Sequence, residues 1–209
     1  MTKPQRRYGT AVRYRDKISK LSFTNSMVRP RRLSDDELLT RIVAFLEQRS
    51  ELTPWSLSDV APSAGIGPAG LIKRFGSKAG LQRALTQRWI ELVPREPLAD
   101  GDDPAAILAA YVGREFGANS TAGAVYALSE AMSDLQDPAL AALLATGWTL
   151  QAQRIAYLLE SMNLPRLNDP AAGGTMLLDA LHGALFRSAV DLDQTAPLLT
   201  LERFLEMWR

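Results

Sequence analysis

Lys73, Arg74 and Lys78 lie within six residues of one another in the stretch GIGPAGLIKRFGSK, which also carries Gly65, Gly67, Gly70 and Gly76. Closely spaced cations suit a polyanion, because ammonium and guanidinium groups make charge-assisted hydrogen bonds to phosphate. The glycines allow turns and close backbone approach. Lys73-Arg74 is the only adjacent basic pair after residue 32. Other chemistries lack their residues. The chain has no cysteine, which excludes disulfides, thiol nucleophiles and thiolate metal sites. Its one histidine, His182, cannot supply the two Glu-x-x-His units of a di-iron bundle. A serine triad built on His182 would sit in a helical segment without an elbow motif, and no phosphate-cradling glycine loop of the P-loop or dinucleotide type is present. These residues point to binding rather than catalysis, with no cofactor and no metal.

The cations need elements to position them. Ser34 followed by Asp35, Asp36 and Glu37 opens a helix, and Leu38, Ile42, Phe45 and Leu46 give it an apolar face over 35–49. Ser56 and Asp59 have capping-box spacing and open a second helix that stops near Gly65. Pro68 suits the first turn of a third, Gly76 its end, and Ser77 caps a fourth that carries Leu81, Leu85, Trp89 and Leu92. Two-turn helices are unstable alone, so the second and third must lean on the first and fourth. Leu57, Val60, Ala61 and Ala64 then face inward, as do Leu71 and Phe75. Ala69, Gly70, Ile72, Lys73 and Arg74 face outward. Two short helices joined by a glycine turn, the second with a small and basic outer face, match a helix-turn-helix whose recognition helix enters the DNA major groove. An ordinary helical hairpin with a solvated Lys-Arg pair is the alternative on periodicity alone.

The order SLSDVAPSAGIGPAGLIKRFGSKAGL resembles the DNA-binding region of the tetracycline-repressor-like (TetR) family of transcriptional regulators. The matching or near-matching positions are Ser56, Leu57, Asp59, Val60, Ala61, Ala64, Gly65, Ile66, Leu71, Phe75, Ser77, Lys78 and Leu81. The resemblance covers 35–92 by motif and the remainder only by helical pattern and length. It implies that Ser56, Gly67, Ala69, Gly70, Ile72, Lys73, Arg74 and Lys78 belong to the DNA-facing set, with Lys78 and the start of the fourth helix holding one phosphate. Four departures stand out. Ile72 replaces a phosphate-binding tyrosine and offers an apolar contact such as a thymine methyl. Gly67 replaces a serine cap, Arg74 a histidine, and Pro62 removes a donor inside the second helix.

Net charge is +1 but is unevenly spread. Residues 1–32 hold ten Lys or Arg against one acid, Asp16, and so carry +9, while 33–209 carry −8. A basic arm on an acidic body points to a polyanion met at one end. Arg29, Arg31 and Arg32 are expected to touch DNA, in the minor groove or on the backbone. For residues 1–26 a DNA-contacting arm and a solvated tail stand level, since Met27 offers a second start. An Arg-rich, acid-poor presequence also fits, but the repressor-like motif tells against it.

The expected organisation is all-α: the arm over 1–32, a helix-turn-helix DNA-binding domain over 33–93, a Pro/Asp/Gly-rich linker, and a helical ligand-binding and dimerisation domain over 104–209. Helices are expected over 105–117, 121–134, 138–162, 171–191 and 195–208. The helix from Pro138 aligns Leu140, Leu144, Trp148, Gln151, Ile155, Leu158 and Met162 on one side. Leu178, Leu181, Leu185, Ala189 and Leu192 form a stripe, and Leu198, Leu201, Leu205 and Trp208 another, with Ala180, Gly183 and Ala184 leaving room for close helix approach. The resemblance implies that Leu178, Leu181, Leu185, Leu198, Leu201, Leu205 and Trp208 form a homodimer interface; packing within one subunit is the alternative. It also implies a small-molecule effector in the bundle, with Tyr111, Phe116, Tyr126, Met132, Trp148, Gln151, Met176 and His182 as candidate lining, although such residues also build plain cores. Asp179, three residues before His182, can share a structural hydrogen bond with it. No apolar run nears the ~18 residues needed to span a bilayer, so a cytoplasmic protein is expected, nucleoid-associated when bound to DNA. The reading is a homodimeric repressor on a palindromic operator of double-stranded DNA. A ligand-binding or interaction module of the same fold is the alternative.

Overall fold

In the computed structural model the chain divides into two units, Met1–Arg32 and Leu33–Arg209. The structure describes residues 33–49, 54–117, 132, 135–191 and 195–209, all in the second unit. Arg29, Arg31, Arg32 and Tyr126 lie outside the described residues, as does all but Met132 of the helix expected over 121–134.

Eight helices and no strand occur among the described residues. We number them α1 (Asp35–Glu47), α2 (Leu57–Ala64), α3 (Pro68–Phe75), α4 (Lys78–Leu92), α5 (Pro104–Glu115), α6 (Pro138–Ser161), α7 (Pro170–Asp191) and α8 (Ala196–Trp208). Their starts are chemically marked. Ser34 and Glu37 form a reciprocal capping box, with Ser34 N donating to Glu37 Oε2 at 2.9 Å and Glu37 N to Ser34 Oγ at 3.1 Å. Ser77 Oγ accepts from Gly80 N, and Asp103 and Asp137 cap α5 and α6 ahead of Pro104 and Pro138.

Two hydrophobic cores lie within this unit. The first joins α1 to α4 through Leu38, Ile42, Val60, Leu71 and Leu81, with Trp55 closing one side. The second joins α5 to α8 through Leu108, Val112, Ile155, Leu158, Leu177 and Leu181. Glycines set the closest helix contacts. A Cβ on Gly174 of α7 would stand 2.6 Å from the Ala152 carbonyl oxygen and 2.9 Å from Ala156 of α6. A Cβ on Gly147 of α6 would overlap the six-membered ring of Trp89 on α4. The last apolar position of α4 is not Leu92, which is exposed, since Ile90 and Val93 are the buried residues at that end. No helix among the described residues is long and apolar enough to cross a membrane.

Candidate nucleic-acid interface and cavity

Helices α2 and α3 are joined by Gly65, Ile66 and Gly67. Gly65, at φ 68°, reverses the chain in the left-handed region that glycine enters without steric cost. Pro68 then sets the first turn of α3, and Gly67 precedes it with no side-chain cap. Leu71 is fully buried and Phe75 half-buried, which fixes the rotation of α3. Ala69, Ile72, Lys73 and Arg74 are exposed, and Gly70 is half-buried against Ile66. Ile72 is 49% exposed.

Arg74 is engaged within the subunit. Its guanidinium is paired with the Asp35 carboxylate and donates to the Leu33 carbonyl oxygen at 2.6 Å, so it ties the C-terminal end of α3 to the entry of α1. Ser56 is likewise engaged as a cap. Its N–H and hydroxyl donate to Asp59 Oδ2 at 2.7 and 2.9 Å, and these two bonds hold the Asp59 carboxyl below its usual range. Ser56→Ala should therefore act on α2, lowering stability by about 0.5–2 kcal/mol in chemical denaturation. Lys78 opens α4 with its Nζ 4.5 Å above the ring of Trp55, a cation–π contact. Sequence reasoning missed Trp55, which stands alone between helices with no periodic neighbour.

Across the unit, α4, α5, α6 and α7 line an open-mouthed cavity of about 520 Å3, within the range of small-molecule sites. Of the expected lining residues it receives Phe116, Met132, Trp148, Gln151 and His182. Tyr111 and Met176 do not line it. Tyr111 is buried in the bundle core. Burial, reinforced by the nearby Glu115 charge, pushes its phenol up to about 12, with Gln151 pulling the other way. Met176 is 55% exposed on the outer face of α7. Helix α4 supplies the unexpected wall: Leu85, Thr86 and Trp89 line the cavity, and Trp89 Nε1 donates to Glu115 Oε2 at 3.3 Å. His182 packs edge-on to Phe116 at 5.3 Å and tilted against Trp148 at 5.0 Å. Burial lowers its pKa, with its hydrogen bond to the Leu178 backbone and the Asp179 charge opposing, so the neutral ring dominates at pH 7. Its bond is to Leu178, not to Asp179, which is exposed and lines a separate groove between α6 and α7.

The residues expected at a dimer interface are mostly internal. Leu178, Leu181, Leu201, Leu205 and Trp208 are all buried within the second core, and Leu185 lines the cavity. Only Leu198 is exposed, at 40%. The apolar groups that α7 and α8 leave outside are Met176, Phe186, Val190, Leu198, Leu199 and Met207. Gly183 stands among them, with nothing within 4 Å of where a Cβ would be.

No protein-family profile and no curated protein matches the sequence. Solved structures do match the fold. A Rhodococcus sp. protein described as a TetR-family transcriptional regulator superposes with a TM-score of 0.61 at 18% identity, over 83% of this chain and 98% of that one. A transcriptional regulator from Rhodococcus sp. Rha1 gives 0.59 at 18% identity, over 84% and 94%. SmeT, the repressor of the Stenotrophomonas maltophilia multidrug efflux pump SmeDEF, gives 0.52 at 16% identity, over 84% and 90%. The all-α fold, with an N-terminal helix-turn-helix and a C-terminal helical domain, is shared with these proteins.

Proposed function

We propose that this protein is a homodimeric transcriptional repressor of the TetR type, which binds a palindromic operator through α3 and releases it when a small molecule occupies the cavity. The observation that carries this reading is α3 itself. Its inner face is locked by Leu71, while Ala69, Ile72 and Lys73 form an exposed small, apolar and basic surface of the kind a recognition helix presents. Likeness of fold to SmeT, a repressor, supports repression as the direction of control.

One recognition helix per chain requires a second copy to read two half-sites. The exposed Val190, Leu198 and Leu199, with the open Gly183, support association through the outer faces of α7 and α8. Helix α4 supports the switch: Leu81 belongs to the first core, whereas Trp89 lines the cavity. A ligand that prefers one placement of Trp89 therefore biases the placement of α3, and the free energy for release comes from that preference.

Recovery of bound duplexes from a genomic pool, followed by titration at several salt concentrations, tests the reading. Lys73→Ala and Lys78→Ala should each weaken operator and scrambled DNA alike and reduce the salt slope by roughly 1–2 units per dimer. Arg74→Ala, paired internally, should lower stability more than slope. Ile72→Ala should alter preference at particular base pairs by about 1–3 kcal/mol with the slope unchanged. If neither lysine variant changes affinity or slope, the chain is a ligand-binding or interaction module of this fold.

A further inference from the structure

Glu115 is the only charged side chain among the described residues that line the cavity, and no Lys or Arg accompanies it there. Its side chain is 18% exposed and both of its oxygens are held. Oε1 accepts from Arg114 Nε at 2.9 Å, but Arg114 is 59% exposed and does not line the cavity, so solvent weakens that pairing. Oε2 accepts from Trp89 Nε1 at 3.3 Å, beyond the usual N–H···O range and correspondingly weak. Trp89, Phe116, Trp148 and Phe186 supply aromatic surface around it. An anionic ligand would meet a carboxylate whose paired cation, Arg114, stands outside the cavity lining. An ammonium would gain a charge-assisted hydrogen bond together with cation–π contacts.

We infer that the cavity selects lipophilic monocations carrying an aromatic ring, and that the cation takes Glu115 Oε2 from the indole N–H of Trp89. Recognition and switching then meet at one carboxylate. Loss of this bond frees the Trp89 ring, which rests on the Gly147 backbone, and so loosens the contact between α4 and α6. The inference rests on the cavity being the effector site, but its test is independent of DNA.

Calorimetric titration of the full chain with 1-naphthylmethylammonium, 1-naphthylmethanol and 1-naphthaleneacetate at pH 7 isolates the charge on a common aromatic frame. The ammonium should bind about tenfold more tightly than the alcohol, and the acetate weakest. Glu115→Gln should remove most of the ammonium's advantage while leaving the alcohol's affinity near wild type. Trp89→Phe keeps the ring and deletes the competing donor, so it should tighten ammonium binding severalfold with little effect on the alcohol; it decides the matter if Glu115→Gln fails to fold. Equal binding of the three probes, or an advantage that survives in Glu115→Gln, overturns the inference. If none of the probes binds, both the inference and the effector site fail, whereas operator binding by the unliganded protein is settled by the salt titrations.

Discussion

Leu205→Asp should unfold the C-terminal bundle rather than release a folded monomer. Leu205 is 7% exposed and sits with Leu201 and Trp208 in the core that α5, α6, α7 and α8 share. Its neighbours in that cluster are apolar, so an introduced carboxylate would be buried among them or would force α8 off the bundle. Either outcome costs about 5 kcal/mol or more, of the order of a whole domain's stability. The contrasting variant is Val190→Asp. At 77% exposure Val190 can carry a charge without disturbing the subunit, so the helical signal and melting temperature should stay near wild type. If the outer faces of α7 and α8 meet in a dimer, Val190→Asp should also shift the mass seen by light scattering toward 22.9 kDa. Circular dichroism and calorimetry decide the first claim. A Leu205→Asp protein with native helicity and melting temperature would show that α8 does not pack where the structure puts it.

The contrast between Leu205 and Val190 marks the boundary of what the sequence makes legible. Helix starts are encoded locally: Ser34, Ser56 and Ser77 lie within three residues of the N–H groups they cap, and Pro68 and Gly65 act on their own backbone. Those signals place α1 to α4 within a residue or two of their observed ends. The stripes Leu178–Leu185 and Leu198–Trp208 are legible as apolar faces, but periodicity is silent on whether the same chain or a second copy covers them. Here the chain itself covers nearly all of them, and the outward apolar groups fall at Val190, Leu199 and Met207, off the stripe.

Arg74 shows the same limit for charge. Its position in the motif is plain, whereas Asp35, its partner, lies 39 residues earlier in the chain and enters the site only through the packing of α1 on α3. Five of the thirteen described lining residues are legible in the sequence, Trp148, Gln151 and His182 among them because they fall on helices that must pack together. Leu85 and Trp89 are not, because α4 also packs into the other core, and Glu115 is not, because a charged residue at the end of α5 carries no apolar-face signal. A helix that serves two cores has no single apolar face, and this explains why Leu92 misled.

Gly147→Ala should loosen the junction between the two cores. The added methyl would overlap the Trp89 ring, and this close approach is possible only because α6 has no side chain there. The alternatives are to turn the indole, breaking its bond to Glu115, or to push α4 away from α6. Overpacking of this kind costs about 1–3 kcal/mol, which for a chain of this size lowers the melting temperature by several degrees. Because Trp89 also lines the cavity, ligand affinity should fall, and because α4 carries Lys78 and Leu81, operator affinity should change with it. Gly174→Ala is the control, since its methyl meets Ala152 and Ala156 between α6 and α7, away from α4, so it should destabilise without that double effect. The decisive measurement is a double-mutant cycle. With Trp89→Leu in place the ring is gone, and Gly147→Ala should then cost at least about 1 kcal/mol less than in the wild-type background. An equal cost in both backgrounds would mean that Trp89 does not rest on Gly147, and the route from cavity to recognition helix would have to run through another contact, of which the Arg83–Asp137 pair at 3.0 Å between α4 and the start of α6 is the next to test.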